Sequence, residues 1–109
     1  MVRQGDIVLV NFTPQSGHEQ AGKRPAVVVS NDVFNEKTSM TIVCPVTNTD
    51  NKFPLHVPLD GRTRTAGVIL CEHVKALDIE ARGYKVVERV PSDILARVVQ
   101  LVGMEIEIL

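Results

Sequence analysis

The residues with the most chemical potential gather in one stretch, His18-Glu19-Gln20-Ala21-Gly22-Lys23-Arg24-Pro25, where an imidazole, a carboxylate, an amide and two cations fall within eight positions. An imidazole titrates near neutral pH and can move protons. A carboxylate can accept a proton or hold a neighbouring cation. A guanidinium stays charged and grips two oxygens of an anion at once. This set suits proton transfer beside a growing negative charge; it equally suits a solvated loop whose charges serve solubility. Thr47, Asn48 and Thr49 add a second polar cluster of hydrogen-bond donors and acceptors. Metal chemistry lacks its usual spacing, because His18, His56 and His73 lie in separate segments and Cys44 and Cys71 form no C-x-x-C pair. Nucleophile-elbow, phosphate-loop and dinucleotide-binding signatures are missing as well.

The elements that must position these groups read mainly as strands. Residues 7–12 form a β-branched apolar run between Gly5-Asp6 and Thr13-Pro14. The polar, glycine-bearing stretch from Pro14 to Lys23 follows, and it reads as a mobile surface loop that orders over a ligand. Arg24-Pro25 opens a second strand over 26–30, and Asn31 or Asp32 caps a short helix over 33–37. A third strand spans 40–47, with Pro45 expected at a bulge or an edge because it has no amide to donate. Residues 53–59 alternate but carry Pro54 and Pro58, which predicts an edge strand. Residues 67–74 and 83–90 complete the strands. Ser92 is expected to cap a terminal helix whose stripe is Ile94, Leu95, Val98, Val99, Leu101 and Val102. Gly103 either ends that helix, leaving 104–108 as a strand, or sits inside it.

With 109 residues, 44% apolar and 23% charged, the chain reads as a single domain over 1–109 with one proper core. Twelve Lys+Arg against thirteen Asp+Glu leave a net charge of -1, which excludes a protein that coats polyanions by bulk charge. Any contact with nucleic acid must be local. Aromatic content of 4% without tryptophan argues against an aromatic stacking platform. Both cysteines sit in apolar runs, as buried thiols of a reducing cytosol do. No stretch approaches the roughly 20 apolar residues of a membrane span, and the N-terminus has no apolar signal region, so a cytoplasmic location is expected.

Gly5-Asp6-Ile7-Val8, then Pro14-x-x-Gly17-His18-Glu19-Gln20-x-Gly22-x-Arg24-Pro25-Ala26-Val27-Val28, then Cys44-Pro45-Val46-Thr47 resemble the MazF/PemK/Kid family of bacterial toxin endoribonucleases. The likeness continues through Gly67-Val68 and Ala81-Arg82-Gly83 into the terminal helix. It implies a mainly β (α+β) fold: a small SH3-like, PemK-like antiparallel barrel or half-barrel with a short helix after strand two and an amphipathic C-terminal helix. It also implies a homodimer that cuts single-stranded RNA without metal or other cofactor and is blocked by a MazE-like antitoxin, from which an acidic, disordered segment is expected over the RNA groove. The family's functional arginine falls on Arg24, its threonine on Thr47 and its acidic loop residue on Glu19. His18 follows the PemK/Kid branch, where other members carry serine. The arginine and aspartate of the Kid fifth strand are replaced by Leu70 and Glu72. Around this centre, Gln20, Lys23, Asn48 and Thr49 are expected to meet the RNA, with Lys52, Arg62 and Arg64 as a local positive rim. A second reading, from the related CcdB fold, is a non-enzymatic poison of a protein target such as gyrase.

Overall fold

A computed structural model describes residues 1–13, 17–18, 21–50 and 52–109 of the chain. Its centre is the ladder of β1 (Asp6–Asn11), β2 (Lys23–Val28) and β3 (Thr41–Thr47), in which Ile7, Val27 and Cys44 stand opposite one another. β7 (Tyr84–Arg89) pairs with the far side of β1. Beyond β3 come β5 (Val68–Leu70) and β4 (His56–Pro58), while β6 (Lys75–Leu77) pairs with the first half of β3. Every ladder is antiparallel. The path β4-β5-β3-β2-β1-β7 leaves its two end strands unpaired with each other, so the strongly curved sheet stays open rather than closing into a barrel.

Strand residues alternate between two apolar layers. One layer gathers Ile7, Val27, Cys44, Val46 and Ile69 against Ile94, Val98 and Leu101 of the helix α3 (Ser92–Glu105). The other holds Val8, Val10, Ala26, Val28 and Val43 with Phe12, Leu77 and Ile79. Burial on both faces accounts for the unbroken runs Ile7-Val8 and Ala26-Val27-Val28, in which no polar residue is tolerated. A short helix, α1 (Asp32–Lys37), is capped as expected: Asn31 Oδ1 accepts the Phe34 amide at 2.8 Å. Its buried Asn35 donates to the Ser30 carbonyl at 3.1 Å, and Ser30 Oγ accepts the Ile42 amide at 2.9 Å, which ties this corner to β3.

Three expectations are corrected and one unanticipated helix is added. Pro45 lies on an interior strand, directly opposite Ala26; β3 is bordered by β6 at residues 41–43 and by β5 at residues 46–47, and Pro45 falls in the step between them. The strand expected over 67–74 stops at Leu70, where the backbone turns through a single 3-10 turn, Cys71–His73, before β6 begins. A one-turn helix, α2 (Ile79–Arg82), follows β6 and is capped by Asp78, whose side chain accepts the Ala81 amide. Finally, α3 starts one residue earlier than the Ser92 cap implied: the Leu95 amide bonds to the Pro91 carbonyl, so Ser92 is already helical and makes no capping bond. That helix runs through Gly103 to Glu105, settling the open choice at its end.

Candidate functional site

Arg24 and Thr47 are brought together by strand register. Each lies two positions beyond the last β2–β3 pair, Ala26↔Pro45, toward the adjoining ends of the two strands. Both line a cleft of about 480 Å³. Arg24 Nε donates to the Ala21 carbonyl at 3.0 Å, which anchors the guanidinium while both terminal nitrogens have no carboxylate partner among the described residues. Thr47 Oγ1 accepts the Thr49 amide at 3.2 Å, closing a small turn at the strand end. With that lone pair occupied, the hydroxyl proton remains available to a ligand oxygen. Gly67 presses on the same point: its φ of +119° and close approach to the Thr47 carbonyl are open only to a residue without a Cβ.

The opposite wall carries Glu72 and two histidines that sequence spacing did not connect. His56 Nε2 lies 2.8 Å from Glu72 Oε2, and His73 Nε2 lies 4.0 Å from the same oxygen. The His56 ring is 6% exposed and meets the edge of the Phe53 ring at 5.5 Å. Its Nδ1 stands 3.9 Å from Asp50 Oδ1, too far for a hydrogen bond, and together with Glu72 Oε1 it is buried without a hydrogen-bond partner among the described residues. His18, exposed, completes the cleft mouth. Nothing in the primary sequence links His56 to Glu72: one is on β4 and the other in the 3-10 turn after β5, and only the β4–β5 pairing, with the Cys71 amide bonded to the Leu55 carbonyl, sets them side by side.

The remaining expected residues divide. Lys23 and Asn48 line a second hollow that shares Arg24 and Thr47 with the first. Asn48 also borders a groove reaching Arg64 and Lys85, the latter a basic residue missed in the sequence because β7 reads as an ordinary alternating strand. Thr49 lines the cleft itself. Lys52 is turned to Asp50, at 3.3 Å. Arg62 lies outside these hollows, held by Asp60 and Asp93 at 2.8 Å each, so that corner carries more negative than positive charge. Glu19 and Gln20 lie outside the described residues, as does half of the loop expected to be mobile.

Electrostatics follow these contacts. The Lys52 amide and ammonium hold the Asp50 carboxyl below the usual range. Arg62 holds Asp60 down to about 2 and lowers Asp93. Burial, joined by the negative charge of Glu72, pushes Glu105 up. The Cys44 thiol is pushed up by its contact with Cys71 and by burial, which keeps it protonated and inert. Among the described residues no cluster of three or more His, Cys, Asp or Glu has the arrangement of a metal site, and no helix is long and apolar enough to cross a membrane. The cleft thus offers a fixed cation, a hydroxyl donor, a carboxylate and imidazoles around a space large enough for a phosphodiester.

Residues 3–103 match the family of PemK-like, MazF-like toxins of type II toxin-antitoxin systems. Endoribonuclease PemK of Escherichia coli is 41% identical over 101 residues, which span 89% of this chain and 76% of that protein. The crystal structure of MazF (Form-I) from Deinococcus radiodurans aligns with a TM-score of 0.89 at 38% identity, over 95% of this chain and 94% of that one. A crystal structure of MazE-MazF (Form-II) from the same organism aligns at 0.83, with the same identity and coverage.

Proposed function

The chain belongs to the PemK-like, MazF-like toxins of type II toxin-antitoxin systems, and from that membership we propose a cytoplasmic endoribonuclease that cuts single-stranded messenger RNA without a metal and so arrests translation and growth. Residues 1–109 act as one toxin domain. The observation that carries this reading is the meeting of Arg24 and Thr47 with Glu72 across one cleft.

In the reaction, the ribose 2′-oxygen attacks phosphorus as its proton passes to Glu72. The bond from phosphorus to the 5′-oxygen breaks, and that oxygen takes a proton from His18. A 2′,3′-cyclic phosphate and a 5′-hydroxyl result. Arg24 supplies what such a step needs most, a permanent charge that grips the equatorial oxygens of the pentavalent state. The hydroxyl of Thr47 orients the phosphate, since a free hydroxyl is neither a strong acid nor a strong base at neutral pH. By family likeness, Glu19 is assigned to serve the base or to steady Arg24. Because the attacking group belongs to the RNA itself and Arg24 carries the compensating charge, no metal has to generate a nucleophile.

The three adjoining hollows support a path for several nucleotides. Lys23, Arg64 and Lys85 are suited to phosphates along it, while Asn48 and Thr49 are suited to the edges of unpaired bases; Gln20 is assigned to base edges by its residue type alone. A MazE-like antitoxin with an acidic segment would occupy the same path and compete for Arg24. Two copies associate through the apolar C-terminus, where Met104, Ile106, Ile108 and Leu109 are exposed.

The purified protein is expected to cleave a structure-poor transcript in EDTA and leave 5′-hydroxyl ends. Arg24→Ala should lower the rate about 100-fold or more while leaving the fold intact. Equal cutting by wild type and variant would move the chemistry elsewhere. Intact RNA beside a gyrase arrest would favour the poison of a protein target.

A further inference from the structure

The His56 side chain on the cleft wall is largely buried, and the reaction as described leaves it without a task. A buried imidazole is costly unless its nitrogens are satisfied. Here only Nε2 is, by Glu72 Oε2 at 2.8 Å, while Nδ1 has no hydrogen-bond partner among the described residues. A core histidine of purely structural use would be expected to bond a backbone carbonyl or amide. This one spends its single bond on a carboxylate that faces the cleft.

We propose that His56 is a positioning residue for RNA cleavage, holding the Glu72 carboxylate by Oε2 in the one orientation from which it takes the proton of the ribose 2′-hydroxyl. The inference rests on the endoribonuclease reading above and deepens it. Because the acceptor is a carboxylate, the imidazole carries its hydrogen at Nε2. The geometry is rigid: β4 and β5 pair His56 with Leu70, and the bond from the Cys71 amide to the Leu55 carbonyl clamps the residues on either side. With Oε2 engaged, the side chain is held in one orientation on the cleft wall as it accepts the proton from O2′.

Several other groups surround the carboxylate. His73 stands on the same turn, Asp50 precedes β4, and Glu105 approaches from α3, where the charge of Glu72 is felt. Across the cleft are Arg24 and His18, and Lys75 lines the adjoining hollow. None of these stays constant in effect unless the His56 substitution is isosteric enough to leave them in place, which sets the choice of variants.

The test compares wild type, His56→Leu, His56→Gln and Glu72→Gln in pH profiles of RNA cleavage. A hydrogen bond to the ionised form favours ionisation. Its loss in His56→Leu should therefore move the acid limb of the kcat profile upward and lower kcat about tenfold to 100-fold, with KM nearly unchanged. Gln can donate its amide to the same oxygen and should restore most of the rate and the limb. The proposal is overturned if His56→Leu, folded by circular dichroism, keeps the wild-type profile, or if Gln rescues nothing. It is also overturned if both His56 variants are unfolded while wild type cleaves, since that marks a purely structural residue. Should wild type itself leave RNA intact, the endoribonuclease reading fails instead; Glu72→Gln active beside an active wild type would refute the assignment of the base.

Discussion

Gly67 offers a perturbation whose effect can be worked out from the structure. It lies immediately before β5, pairs its carbonyl with the Leu59 amide at 2.9 Å, and adopts a φ of +119°. An added Cβ would stand 2.3 Å from the Thr47 carbonyl oxygen and 2.9 Å from its carbon, distances that backbone atoms cannot relieve without moving. Two costs combine in Gly67→Ala: a side chain in a backbone region open to glycine, about 1–3 kcal/mol, and overpacking against a fixed strand, again about 1–3 kcal/mol. The expected loss is about 2–6 kcal/mol, a large share of the roughly 5–15 kcal/mol that stabilises a domain of this size. At about 4 °C per kcal/mol, the melting temperature should fall by roughly 8–24 °C. Relief by displacing the end of β3 would shift Thr47 relative to Arg24, so cleavage at a temperature where the variant remains folded should fall further than stability alone explains. Gly61→Ala, where a Cβ meets open space, is the control and should be nearly silent. A Gly67→Ala protein with wild-type melting and wild-type cleavage would refute both the close approach and its link to Thr47.

Three other outcomes follow from the packing and charges. Val98→Ala, which empties a fully buried position between α3 and the sheet, should cost about 2–3 kcal/mol in urea denaturation without altering cleavage chemistry. Arg62→Ala should lower stability modestly at neutral pH; Asp60 and Asp93 have folded pKa values below their unfolded ones, so the difference from wild type should shrink as pH falls from about 4 toward about 2, as denaturation midpoints across that range would reveal. Glu105→Gln should add a few tenths of a kcal/mol at pH 7, because the fold raises the pKa of that carboxyl and disfavours its charge at the C-terminal end of α3. That gain should disappear below the ordinary glutamate range, where Glu105 is protonated in both states.

Local chemistry explains most of what was legible in the residue order. Asn31 caps α1 because its side-chain oxygen reaches an amide three residues on, and Pro58 marks an edge strand because it cannot donate to a ladder. The helical stripe Ile94, Val98, Leu101 follows from a 3.6-residue period. The prominence of Arg24 and Thr47 came from residue type and family likeness, and strand register then explains why they meet. Pro45 was misread for an equally physical reason: a proline is excluded from a ladder only where a partner requires its amide, and the change of neighbour along β3 is invisible until strands are assembled. The same holds for the cleft wall. His56, Glu72 and His73 belong to segments with no shared period, and the positive rim expected around Arg62 is neutralised by Asp93, thirty-one positions away. The amino-acid order by itself determined the elements, the two-sided core and the identity of the reactive groups, because those depend on neighbours within a few residues; which groups face one another across the cleft was decided only by tertiary pairing, because hydrogen bonds and charges act through space and do not respect distance along the chain.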